Sequence, residues 1–103
     1  SGMMYYGFTD EDLTWYFTQL DTYIKDFIEV GYEYYEKPNR CVSMLDFFMN
    51  CTIAMIKKRE VNMLAYPAGR SVLNRLKAFP TKYDDGMMQR KAEKIKRYYE
   101  LHM

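Results

Sequence analysis

Few side chains in this 103-residue sequence are suited to catalysis or metal binding. There is one histidine, His102, and there are two cysteines, Cys41 and Cys51. This set is too small for a four-ligand zinc site, and neither an EF-hand loop nor an HExxH pattern occurs. His102 stands beside the last residue, where chains fray, whereas a general base must be held in a fixed position. We therefore expect no metal, no cofactor and no enzyme activity.

Two further features of the sequence have ordinary structural explanations. Asp46 and Asn50 are four residues apart and so share one face of a helix, where buried polar groups need hydrogen-bond partners. We expect them to bond a neighbouring turn or tyrosine hydroxyls. Residues 68–71 read Ala-Gly-Arg-Ser, a lone glycine without the lysine of a phosphate-binding loop. Neither feature predicts catalysis.

Composition predicts one folded domain. Hydrophobic residues make up 49% of the sequence and aromatics 17%, and the longest apolar runs hold four residues, far fewer than the roughly 20 of a membrane span. Ser1 and Gly2 ahead of Met3 are interpreted as a tag remnant, so the domain is assigned to residues 3–103. Two cysteines without a signal peptide predict reduced thiols and a cytoplasmic location, with no membrane association.

A long first helix is predicted from Thr9 to Lys37. Thr9 is an N-cap followed by three acidic residues, and Phe8 and Leu13 stand at the positions of a hydrophobic staple. The apolar positions that recur in steps of four and three are Leu13, Phe17, Leu20, Ile24, Phe27, Gly31 and Tyr34. Pro38 ends the helix because it disfavours helical geometry in the residue before it. Its length of about 42 Å would exceed the ~35 Å diameter of a domain of this size.

The second helix is predicted to be the centre of the fold. Ser43 caps it after a turn at 38–42, and the sequence is apolar nearly all round up to Ile56. Such a helix is normally buried on several sides, so we expect it to cover part of the apolar face of the first helix, while the fourth helix could cover the rest. The segment that follows is ambiguous and could extend the helix to about Leu64.

Two more helices complete an all-α prediction, a small four-helix domain with a long N-terminal helix and an apolar central helix. The third is short and begins at Pro67 or is capped by Ser71. The fourth begins at Thr81 or Asp84 and runs to about Leu101. The inner faces comprise Ala68, Val72, Leu73, Leu76 and Phe79 in the third helix and Met88, Ala92, Ile95, Tyr99 and His102 in the fourth.

Charge is distributed unevenly along the chain. Residues 1–51 carry three basic and nine acidic side chains, a net charge of −6, whereas residues 52–103 carry twelve and five, a net charge of +7. Either the two halves neutralise each other, or the basic half binds nucleic acid through phosphate contacts and base stacking. The nucleic-acid candidates are Arg70, Arg75, Lys77, Arg90, Lys94 and Arg97. A short third helix after a Pro/Gly turn would also suit a helix-turn-helix motif.

Tyrosine is the main sequence signal for a protein partner. The chain has eleven tyrosines, and Tyr is enriched in binding patches because it is apolar with a polar tip. We predict a non-enzymatic interaction or regulatory module that binds a partner protein through its acidic first helix. The contact residues assigned are Tyr32, Tyr34, Tyr35, Glu29 and Glu33. The wide apolar face of this helix predicts a homodimer, and the small, motif-free chain would suit an accessory protein of a virus or mobile element.

Overall fold

A computed structural model of the chain describes residues 8–30, 38–58 and 61–102. The helices in these ranges are α1 (Asp10–Val30), α2 (Pro38–Lys57), α3 (Pro67–Lys77) and α4 (Met87–His102), with short 3-10 helices at Met63–Ala65 and Thr81–Tyr83. No strand occurs in the ranges described. The predicted all-α, four-helix fold is confirmed.

The start of α1 agrees with the sequence prediction. Thr9 Oγ1 accepts a hydrogen bond from Asp12 N, and Asp12 Oδ2 accepts one from Thr9 N, both at 3.1 Å, which is a capping box. The apolar positions Leu13, Phe17, Leu20, Ile24 and Phe27 are all buried. The predicted continuation to Lys37, including Gly31 and Tyr34, lies outside the described residues.

The hub of the fold is the short helix α3. It packs most extensively against α1, and it also packs against α4 and the Met63–Ala65 3-10 helix. The residues that α3 buries are Gly69, Val72, Leu73 and Leu76. The sequence predicted that α2 covers part of the apolar face of α1 and that α4 could cover the rest, and it assigned no part to α3. In the structure α3 makes the most extensive contact with α1, while α2 contacts α1 through the hydrogen bonds of Tyr16. The hydrophobicity of a helix does not show which other helix packs against it. Here the shorter and more amphipathic α3 packs on the apolar face of α1.

Both ends of α2 differ from the prediction. The helix begins at Pro38, so the turn at 38–42 and the cap at Ser43 are wrong. Proline fixes φ near the helical value and lacks an N–H that the first turn leaves unpaired, so it starts a helix as readily as it ends one. At the other end α2 stops at Lys57, and Leu64 belongs to a separate 3-10 helix.

The starts of α3 and α4 settle the alternatives left open by the sequence. Pro67 occupies the first turn of α3, and the alternative start at Ser71 is wrong. α4 begins three residues after Asp84, whose Oδ2 accepts a hydrogen bond from Met88 N at 2.8 Å. Thr81 lies in the preceding 3-10 helix and not in α4.

The backbone of Met63 is held on two sides. Its side chain is fully buried, and its N–H donates to Tyr99 Oη of α4 at 2.8 Å. Its carbonyl oxygen lies so close to Gly69 of α3 that a Cβ at position 69 would overlap it. Gly69 lies inside helix α3 and not in a turn. The close approach of the Met63 carbonyl is possible because glycine has no side chain.

We expect Gly69→Ala to destabilise the protein by about 1–3 kcal/mol, because the new methyl group is forced against backbone atoms that have little room to move. This loss exceeds the gain in helix propensity of about 1 kcal/mol. Urea unfolding followed by circular dichroism measures the difference. Asn74→Ala, at an exposed position of the same helix, is the matched control and should change stability by less than about 0.5 kcal/mol. Equal stability of Gly69→Ala and the parent would contradict the contact.

We also expect Tyr99→Phe to lower the free energy of unfolding by about 1–3 kcal/mol, since it leaves the buried N–H of Met63 without a partner. The denaturant slope should stay unchanged, which shows that the loss is in stability and not in compactness. Tyr98→Phe is the neighbouring control, because the hydroxyl of Tyr98 forms no hydrogen bond with the residues that the structure describes. Similar losses in the two variants would argue against a specific role for Tyr99.

Candidate partner-binding surface

Large apolar side chains of the α1 and α2 region are exposed to solvent. We define the Trp15 surface as Phe8, Trp15, Met44, Phe47 and Phe48, whose exposed fractions are 62%, 66%, 48%, 62% and 38%. Trp15 is the only tryptophan of the chain. The prediction that α2 is buried on several sides is therefore wrong, because its outer side is open.

Most residues of the Trp15 surface line one of two neighbouring hollows, or both. The larger, of about 450 Å³, lies between α1 and α2 and is lined by Trp15, Tyr16, Gln19, Leu20, Thr22, Tyr23, Asp26, Met44 and Phe48. The smaller, of about 360 Å³, is lined by Phe8, Asp12, Leu13, Trp15, Tyr16 and Met55. Trp15 and Tyr16 line both hollows, so they form the ridge that separates them. The ring of Phe47 adjoins this surface through its edge contact with Phe48, with centroids 5.7 Å apart.

Tyr16 ties α1 to α2 beneath Trp15. Its hydroxyl lies 2.7 Å from Thr52 Oγ1 and donates to the carbonyl oxygen of Phe48 at 3.3 Å. Thr52 is fully buried and donates to the same carbonyl at 2.8 Å. Burial raises the pKa of Tyr16 above 10.0, and the hydrogen bond with Thr52 opposes the rise in that pKa. The ridge between the two hollows is therefore bonded to α2 through Tyr16.

The electrostatic character of the Trp15 surface is acidic. Asp26 is the charged residue that lines the larger hollow, and Asp12 is the one that lines the smaller. α1 as a whole carries six acidic residues and one basic residue, Lys25. An apolar surface with an acidic rim suits a partner that combines apolar and basic side chains.

The predicted partner contacts are only partly placed by the structure. Glu29 is exposed, and its carboxylate lies 3.9 Å from Lys25 Nζ. Tyr32, Glu33, Tyr34 and Tyr35 lie outside the described residues, so that contact stays a prediction. Sequence reasoning missed Trp15, although a signal was present. Trp15 stands two residues after Leu13, about 200° around the helix axis from it, and is thus on the solvent side of the apolar positions.

The predicted nucleic-acid residues do not form one stripe. Arg75 Nε lies 2.8 Å from Asp21 Oδ1 and so serves the contact between α3 and α1. Arg70 and Lys77 line one groove beside α4. A different groove, between α2 and α4, is lined by Arg90, Lys94 and Arg97. The Pro/Gly turn of the helix-turn-helix interpretation is wrong, since Pro67 and Gly69 both belong to α3. The helix-turn-helix interpretation itself stays a prediction.

Asp46 and Asn50 share a helix face as predicted, but their partner is a lysine and not a turn or tyrosine. Lys91 Nζ of α4 lies 2.9 Å from Asp46 Oδ1 and donates to Asn50 Oδ1 at 2.7 Å. This interaction joins α2 to α4. The free thiol of Cys51 is exposed. The prediction that His102 belongs to the inner face of α4 is wrong, since this residue is exposed and its ring packs on Tyr98 with ring centroids 4.3 Å apart.

The described ranges contain neither a group of metal-binding side chains nor a helix that could span a membrane. Within residues 8–30, 38–58 and 61–102, no three His, Cys, Asp or Glu side chains are grouped to hold a metal ion. Over the same ranges, no helix combines the length and hydrophobicity of a bilayer span. Comparisons of the chain with protein-family models, curated proteins and solved structures give no match. Functional inference therefore depends on the surface geometry.

The raised pKa of Tyr16 predicts a loss of stability at alkaline pH. Above pH 10 the tyrosine of the unfolded chain releases its proton while the buried hydroxyl of Tyr16 keeps it, so the free energy of unfolding falls as the pH rises. We expect Tyr16→Phe to show a shallower fall above pH 10 than the parent, because one such group has been removed. Unfolding in urea at pH values from 8 to about 11 measures both slopes, and parallel curves over the whole range would contradict the assignment.

Proposed function

We propose that this protein is a non-enzymatic interaction module that binds a helical segment of a partner protein on the Trp15 surface. The main support for this proposal is the group of large apolar side chains that are exposed on α1 and α2. Exposed apolar surface of this kind usually marks an interface. Tryptophan and tyrosine are also the residues in which binding energy concentrates.

The shape and charge of the surface support an amphipathic helix as the occupant. A helix that lies in a groove inserts side chains at intervals of three and four residues. The two hollows on either side of Trp15 offer places for two such anchors. Asp12 and Asp26 line these hollows, so lysine or arginine beside the apolar anchors would find opposite charges. We infer a partner segment that is apolar on one face and basic at its edges.

The proposal keeps the acidic first helix as the binding element but moves the contact from its C-terminal tyrosines to Trp15. The described apolar positions of α1, from Leu13 to Phe27, are buried within the domain and so do not support a homodimer. The predicted continuation with Gly31 and Tyr34 lies outside the described residues, so the homodimer stays a prediction. The exposed, free thiol of Cys51 supports the further proposal that the protein works in a reducing cytoplasm. The nucleic-acid alternative stays a prediction. Its candidate residues are divided between two grooves and do not form one continuous surface.

A designed peptide tests the proposal. The probe is an amphipathic helix of about 18 residues with leucine on one face and lysine elsewhere, free of tryptophan. We expect its binding to shift the fluorescence of Trp15 to shorter wavelength, since that side chain is 66% exposed in the free protein. Phe48→Ala should weaken the affinity at least tenfold. Thr14→Ala, an exposed α1 position outside both hollows, should leave it unchanged.

Three results would contradict the proposal. The first is an unchanged Trp15 emission at saturating lysine peptide. The second is equal affinity of Phe48→Ala and Thr14→Ala. The third is a concentration-dependent dimer, found by sedimentation, that Trp15→Ala abolishes, because the occupant would then be a second copy of the chain. Chemical-shift changes confined to the Trp15 surface, with a monomeric protein, would support it.

A further inference from the structure

A second groove lies on the other edge of α2, between its C-terminal half and α4. It has a volume of about 370 Å³. Its apolar floor comprises Ile53, Ile56, Ile95, Tyr98 and Leu101. Leu101 is 75% exposed, whereas Ile56 and Ile95 are buried. None of the residues that line this groove lines the hollows of the Trp15 surface, so the two surfaces are separate.

The rim of this groove is strongly basic. It contains Lys57, Arg90, Lys94 and Arg97, and the single acidic residue of the lining is Glu93. Glu93 lies 3.9 Å from Arg97, so it is already matched to one of the four cations. Arg90 Nη1 donates to the carbonyl oxygen of Asp85 at 2.9 Å, which orients its guanidinium and leaves its charge in place. Lys57 and Lys94 form no ion pair with any residue in the described ranges.

We propose that this groove binds an acidic amphipathic helix of a partner protein, as an interaction site additional to the Trp15 surface. A helix of that type would place leucine-like side chains on the floor and carboxylates beside the rim cations. The charge complementarity is opposite to that of the Trp15 surface, where the lining is acidic. One module thus carries two apolar grooves of opposite charge, one on each edge of α2.

Two features favour a helical protein segment over nucleic acid. Most of the floor is aliphatic, and aliphatic side chains offer no flat ring on which a base can stack, whereas single-stranded nucleic acid binds through stacking and phosphate contacts. The aromatic residue of the floor, Tyr98, already packs against His102 at 4.3 Å and Tyr99 at 5.8 Å between ring centroids. An apolar face beneath a cationic rim is what an acidic amphipathic helix requires.

The test uses a fluorescein-labelled peptide of about 18 residues with leucine on one helical face and glutamate elsewhere, measured by anisotropy. We expect Lys94→Glu to weaken binding at least tenfold. Lys58→Glu makes the same change in net charge at an exposed residue that does not line the groove, and it should weaken binding less than threefold. Leu101→Ser should weaken binding at least fivefold with no change in the helical circular-dichroism signal, because its side chain is mostly exposed.

Equal losses in Lys94→Glu and Lys58→Glu would overturn the proposal, since binding would then follow net charge alone. Insensitivity to Leu101→Ser would also overturn it, because the floor would have no part. A single-stranded oligonucleotide that binds more tightly than the peptide, and whose binding Lys94→Glu abolishes, would assign the groove to nucleic acid instead. Trp15→Ala should leave the glutamate peptide bound as before, so this experiment succeeds or fails independently of the function proposed above.

Discussion

The arrangement of the helices depends on the backbone of Met63, which α4 contacts on one side and α3 on the other. Its N–H is buried and must keep its bond to Tyr99, because an unpaired buried donor is costly. Its carbonyl oxygen occupies the space that a side chain at Gly69 would need. These two contacts bring α3 and α4 together at one point. They also direct α3 onto the apolar positions of α1, where Asp21 accepts hydrogen bonds from Ser71 at 2.7 Å and Arg75 at 2.8 Å.

The position of α3 decides what is left for α2. Since α3 covers most of the apolar face of α1, α2 buries a single line of apolar side chains, together with Thr52, and leaves its outer side open. The residues of that buried line are Val42, Leu45, Met49, Ile53 and Ile56. Met44 and Phe48 remain exposed toward α1, while Ile53 and Lys57 border the groove toward α4. Both candidate binding surfaces therefore arise from the same cause.

The acidic and basic halves of the chain neutralise each other only in part. Of the four ion pairs in the described ranges, two join the halves, Asp21 with Arg75 and Asp46 with Lys91, at 2.8 and 2.9 Å. The other two are local pairs within α1 and α4. Each of the two long-range pairs fixes one helix against another. The remaining charges stay at the surface and give the grooves beside α2 opposite signs.

The sequence by itself determined the helical class, the capping box of Thr9 and Asp12, and most of the buried faces of α1, α3 and α4, with His102 the exception in α4. These features follow from helical periodicity and from contacts within one turn, which are local properties of the chain. Only the tertiary structure decided that α3 is the hub, that Gly69 serves a close approach, and that the outer side of α2 is open. An apolar helix face becomes core or surface according to which distant segment packs against it, and the most extensive contact with α1 is made by α3 and not by α2.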